Sequence, residues 1–99
     1  MRQIRYDWYV LETLMSDLVG HDHQPSAYLV YLYLWWLTED SDADDVQVSL
    51  QQLAEGTGLS KRAVQDAILR LHKRKLIGIQ RESITAVPEY RVHRPWARR

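Results

Sequence analysis

Apolar residues recur along the first forty positions with helical spacing. Trp8, Leu11, Leu14, Met15, Leu18 and Val19 fall on one face, which predicts a helix over residues 6–20 with Gly20 as its stop. The stretch from Gly20 to Pro25, Gly-His-Asp-His-Gln-Pro, is polar and reads as a loop. A second helix is expected over residues 25–39, opened by Pro25 or Ser26. Its centre, residues 28–37, is apolar all the way round. A helix without a polar face is normally buried on more than one side, and a run of ten such residues is too short to span a bilayer. Residues 39–45 read as an acidic loop, and Val46-Gln-Val48 alternates like a short strand that pairs with a later hairpin.

The pattern is sharpest between Ser49 and Leu71. Ser49, with Gln52 three residues on, makes a capping box for a helix through Leu50, Leu53 and Ala54. Gly58 supplies a turn in which positive φ is easiest for glycine. Ser60 is a second N-cap, and Val64, Ala67, Ile68 and Leu71 form an apolar stripe at i, i+3, i+4 and i+7. The opposite face carries Lys61, Arg62, Gln65, Asp66 and Arg70. Two short helices, a glycine turn and a basic second helix over residues 49–74 are the signature of a DNA-reading helix-turn-helix. Residues 76–81 and 90–94 then read as the strands of a hairpin spanning 76–94, whose return strand starts at Tyr90 or as early as Ile84. Pro88 cannot donate to a ladder and belongs at an edge, a bulge or the hairpin tip.

The residues from Val46 onward resemble the winged helix-turn-helix of bacterial transcription regulators, the broad class that includes the MarR and GntR regulators. The resemblance is carried by Ala54, Gly58, Leu59-Ser60 running into Lys61-Arg62-Ala63-Val64, and the tail from Leu69 to Lys75 with Leu76-Ile77 behind it. It implies a mainly α fold with a small β-hairpin wing: a winged helix-turn-helix with an extra N-terminal helix, forming one domain over residues 1–99. Similar modules occur in plasmid and phage replication proteins, and others serve as protein-docking scaffolds, so both readings stand beside that of a transcription regulator. Many relatives place a glycine before the Leu-Ile of the wing. Here it is Lys75, so the preceding helix is expected to end in some other way.

In this architecture the start of the recognition helix enters the major groove of double-stranded DNA. Ser60, Lys61 and Arg62 would meet the duplex first, and the fork of Arg62 matches guanine O6 and N7. Gln65 suits adenine, whereas Asp66 either accepts from cytosine or salt-bridges Arg62 or Arg70. Lys61, Arg70, Lys73, Arg74, Arg81, Arg91 and Arg94 are candidates for phosphate contacts, joined near the turn by Thr57 and Ser60. The last residues, 93–99, form a basic tail that either follows phosphates or is disordered.

Charge supports this reading through its distribution. The net charge is zero, but residues 1–50 carry two arginines against nine acids and residues 51–99 carry eleven lysines and arginines against four. The halves are therefore −7 and +7, and the basic half holds the helix-turn-helix. Ninety-nine residues make one domain, and the absence of cysteine excludes disulfides and cysteine zinc sites. With no visible signal peptide, a cytoplasmic protein is expected.

No catalytic constellation stands out, and no enzyme activity, cofactor, metal, membrane contact or small-molecule ligand is expected. His21 and His23 lack further ligands at workable spacing. Asp40, Asp42 and Asp44 open like a calcium loop, but Asp45 and Gln51 stand where it needs glycine and glutamate. The surplus of aromatic surface on the second helix suggests a homodimer through Trp8, Leu11, Met15, Tyr31 and Trp35; alternatively, the two N-terminal helices cover each other in a monomer.

Overall fold

The computed structural model describes residues 3–97. Two π-helical segments come first, Val10–Leu14 and Ser16–His21, joined through Met15. Helix α1 spans Pro25–Ser41, strand β1 Asp45–Gln47, helix α2 Leu50–Thr57 and helix α3 Lys61–Lys73. Strands β2, Ile77–Gln80, and β3, Glu89–Val92, follow. The strands make one antiparallel sheet in the order β1-β3-β2. Val46 stands opposite Tyr90 on one side of β3, and Ile79 stands opposite Tyr90 on the other.

The caps form as the local sequence dictates. The Ser49 hydroxyl accepts from the Gln52 amide at 3.1 Å, and the Gln52 side chain accepts from the Ser49 amide at 2.9 Å. Ser60 caps α3 by accepting from the Ala63 amide at 3.0 Å. Gly58 closes α2 with φ of 81°. Pro88 sits immediately before β3, the central strand, where an interior proline would remove a ladder hydrogen bond.

Several boundaries depart from expectation: the first helix begins at Trp8 and not at Tyr6, and β2 and β3 cover 77–80 and 89–92 where the pattern predicts 76–81 and 90–94. The first helix does not stop at Gly20; its turns run on to His21, and the chain reverses at His23, which has a φ of 54°. Its hydrogen bonds reach five residues back, as from the Met15 amide to the Val10 carbonyl. The acidic stretch is not a loop: α1 continues to Ser41, Asp42 takes a left-handed cap, and Asp45 already belongs to β1. Strand β1 also starts one residue earlier than the alternation suggests, and Val48 lies beyond it, buried, with its amide bonded to the Pro88 carbonyl.

The end of α3 answers the question raised by Lys75. That residue adopts φ of 62° and serves as the left-handed cap itself. The Leu76 amide bonds to the Leu71 carbonyl at 2.9 Å and the Lys75 amide to the His72 carbonyl at 3.0 Å, with Leu71 and Leu76 both buried. This is a complete Schellman motif with lysine in the place of glycine.

Helix α1 is the centre of the molecule. Val30, Tyr31, Leu34 and Trp35 are fully buried, and α1 packs on the N-terminal turns, on α2, on α3 and on β3. Tyr31 and Trp35 therefore cannot form a dimer surface: their side chains are taken up inside one chain. The α1–α2 crossing is close, and a methyl group added at Gly56 would fall on the Tyr33 ring. The C-terminal segment also folds back as far as Ala97. Trp96 stacks on Tyr9 with ring centroids 4.5 Å apart, so this part of the basic tail is ordered against the body; Arg98 and Arg99 lie outside the described residues.

Lysine in the left-handed region carries a steric cost that glycine does not, on the order of 1–2 kcal/mol. Lys75→Gly is expected to raise the unfolding free energy by about 1 kcal/mol, read as a higher urea midpoint at unchanged slope. An unchanged or lower midpoint would mean that the lysine side chain offsets the strain.

Candidate nucleic-acid interface

Helix α3 owes its orientation to its apolar stripe. Val64, Ala67 and Leu71 are fully buried and Ile68 nearly so, which turns Lys61, Arg62, Gln65, Asp66 and Lys73 outward. Lys61 and Lys73 form no ion pair with any described residue. Arg62 approaches Asp66 only at 4.0 Å, with both side chains well exposed. Of the two roles open to Asp66, the structure contains the ion pair with Arg62. The Ser60 hydroxyl accepts one hydrogen bond as the cap and keeps its proton to donate.

Other candidates are committed elsewhere. The Thr57 hydroxyl donates to the Leu53 carbonyl at 2.7 Å and accepts from the Leu59 amide, so it holds the turn and has no proton left for a phosphate. Arg70 leans back: its Nε donates to Gln24 Oε1 at 3.0 Å and lies 4.0 Å from Asp22. Arg74 reaches Asp22 at 3.5 Å and Asp17 at 3.6 Å. Arg91 forms a two-pronged pair with Asp45 across the β1–β3 ladder, at 2.7 and 3.1 Å. Arg94 spans Glu39 and Asp7 and covers the Trp35 ring at 4.2 Å. Arg81, in the β2–β3 connection, donates to the Ile84 carbonyl and stays exposed.

The charge asymmetry of the sequence is therefore partly cancelled in space. Three arginines of the basic half, Arg74, Arg91 and Arg94, pair with five acids of the acidic half, and Arg70 approaches one of those acids at 4.0 Å. The positive charge left over on α3 is Lys61, Arg62 and Lys73, with Lys75 just past its end and Arg81 in the hairpin. Residues near the exit of the N-terminal turns do the pairing that the sequence left unassigned. The His21 Nδ1–H donates to Asp22 at 2.9 Å, and the Asp22 side chain is only 4% exposed. That hydrogen bond, helped by Arg74 and Arg70, outweighs burial and holds the Asp22 carboxyl below the usual carboxylate range. His21 thus contacts a carboxylate, and among the described residues no three His, Asp or Glu side chains converge as a metal-binding set.

One outward residue escaped the sequence reading. Leu69 is 68% exposed on the same face of α3 as Arg62. Its signal was its position off the Val64–Leu71 stripe. Comparisons with protein-family models, curated proteins and solved structures found no match.

Asp22 yields a pH prediction. Its folded-state pKa is lowered, so its contribution is complete at neutral pH and is lost as pH falls below about 4 and through the depressed folded value. Asp22→Asn is expected to lower stability by about 1–2 kcal/mol at pH 7. The gap between the variant and the native chain should close in acid, where both side chains are neutral. A gap that persists at the lowest pH would mean that packing, not charge, is responsible.

Proposed function

We propose that the protein is a winged helix-turn-helix module that binds double-stranded DNA by setting α3 in the major groove. The β2–β3 hairpin is the wing, and transcription regulation is the process this arrangement serves best. One observation carries the reading. Of the described cations that no firm ion pair engages, Lys61, Arg62, Lys73 and Lys75 gather on the outward face of α3 and at its exit, with Arg5 and Arg81 elsewhere on the surface, whereas Arg74, Arg91 and Arg94 are held by acids. Unmatched positive charge on one helix face is the electrostatic footprint of phosphate binding. The start of α3 adds the Ser60 hydroxyl and unpaired backbone amides, which favour an anion. Arg62 then reads a base, and Lys61, Lys73 and Arg81 set the register on phosphates.

Anisotropy titration of a labelled mixed-sequence duplex should give a log affinity that falls linearly with log salt. Arg62→Ala should cost about 1–3 kcal/mol on the preferred site and relax one base position. Arg91→Ala should leave the affinity near that of the native chain, because Asp45 already engages that guanidinium. Absence of binding at about 50 mM salt would sink the reading, and equal weakening of all sequences by Arg62→Ala would confine Arg62 to phosphate.

We also propose a two-fold homodimer through the N-terminal turns. Trp8, Leu11 and Met15 are 68%, 61% and 39% exposed and form an apolar strip together with Val19. Such a pair would present two α3 helices to half-sites about 34 Å apart. Sedimentation should show a dimer that Leu11→Glu converts to a folded monomer. A native chain that stays monomeric at high concentration rules this pairing out.

A further inference from the structure

Exposure alone says little about a leucine. The position of Leu69 says more. Arg62, Gln65, Asp66 and Lys73 surround it on the outward face of α3, and among the described residues of that face it is the one large apolar side chain. At 3.6 residues per turn it lies about 20° around the helix from Arg62 and about 10 Å further along the axis. It therefore stands in the middle of the proposed reading face, not at its rim. It also forms part of the wall of an open groove of about 480 Å³ between the start of α1, at Gln24 and Ser26, and the outer side of α3, at Asp66 and Lys73.

The major groove offers such a side chain one apolar group, the 5-methyl of thymine. We propose that Leu69 is a specificity-determining residue that packs on a thymine methyl, about two to three base pairs from the base read by Arg62. On a helix lying along the groove, the axial offset of about 10 Å spans about two to three base pairs at a rise of about 3.4 Å per base pair. Lys61 and Lys73 on the same face match flanking phosphates, which favours DNA over a protein surface as the occupant. The inference rests on the DNA-binding reading above and adds a base preference to it.

The test starts from the duplex that the native chain selects out of a random pool. Each thymine is replaced in turn by deoxyuridine, which removes only the methyl group. At one thymine, about two to three base pairs from the position relaxed by Arg62→Ala, affinity should fall about fourfold, the worth of one buried methyl. Leu69→Gln should bind the thymine and uracil duplexes equally, and its melting temperature should stay close to native because Leu69 makes no part of the core. If no thymine responds, or if the response persists in Leu69→Gln, Leu69 does not read a methyl, although salt-dependent binding would still stand. If the native chain binds no duplex at low salt, both the DNA-binding reading and this inference fall. Protein partners that Leu69→Gln then releases would mark the face as a docking surface.

Discussion

The fold depends on how the tyrosines and tryptophans of α1 satisfy their polar atoms. A helix that is apolar all round must be enclosed, and each buried hydroxyl or indole N–H needs an acceptor in whatever encloses it. These acceptors are backbone carbonyls at the two ends of the chain. Tyr28 donates to Val10, Trp35 to Arg5 and Tyr31 to His93, at 2.7–2.9 Å. Burial pushes the Tyr31 hydroxyl to a higher pKa, so it remains a donor throughout the physiological range. In the other direction Tyr6 donates to the Leu32 carbonyl. The N- and C-terminal segments are thereby drawn around one helix, and they meet where Trp96 stacks on Tyr9 and donates to Asp7. With both ends closed on one side of α1, α2 and α3 take another, and α3 is held there with its polar face outward.

Electrostatics follows from the same wrapping. The N-terminal acids are brought against the C-terminal arginines because both segments enclose α1. Arg94 is the clearest case, joining Asp7, Glu39 and the Trp35 ring at one point. Asp22 plays the matching role at the other end of α1, between Arg70, Arg74 and His21. Exposed pairs of this kind contribute little to stability, but the enclosed Asp22 carboxylate is strongly dependent on its partners. A net charge counted by halves of the sequence misses this, since the pairs join residues tens of positions apart.

What could be read in advance was whatever a few neighbouring residues determine. Ser49 with Gln52, Ser60 and Gly58 each act within four residues, and the Val64–Leu71 stripe within two turns, so both helices and their caps were legible. The helix exits at His23, Asp42 and Lys75 were not. Left-handed φ in these side chains is imposed by the hydrogen bonds that close each helix, and composition points to glycine instead. The covering of Tyr31 and Trp35 was hidden for a related reason: nothing local says that the chain's own ends will enclose α1. On the candidate interface, residue types and facing were legible for Lys61, Arg62 and Gln65. The loss of Arg70, Arg91 and Thr57 to structural partners was not, because two of the three partners lie far away in sequence.

The result is a division of labour across α3. On its inner side Arg70 and Arg74 lean into the Asp22 cluster and Lys75 closes the helix, while Lys73 stays unpaired among the described residues on the outward face. Its first turns are held only by the Ser60 cap and the apolar stripe, and Arg62 touches Asp66 loosely in solvent. Releasing Arg62 to a new acceptor costs little, whereas releasing Arg70 would strip a nearly enclosed carboxylate of a partner. Base reading is therefore cheapest at the start of the helix, the end that a recognition helix turns to base edges. A docking scaffold has no need for such a division, since apolar contact does not require its cations to be free. The proposed DNA reading therefore rests on which side of α3 its charges are committed, more than on the outline of the fold.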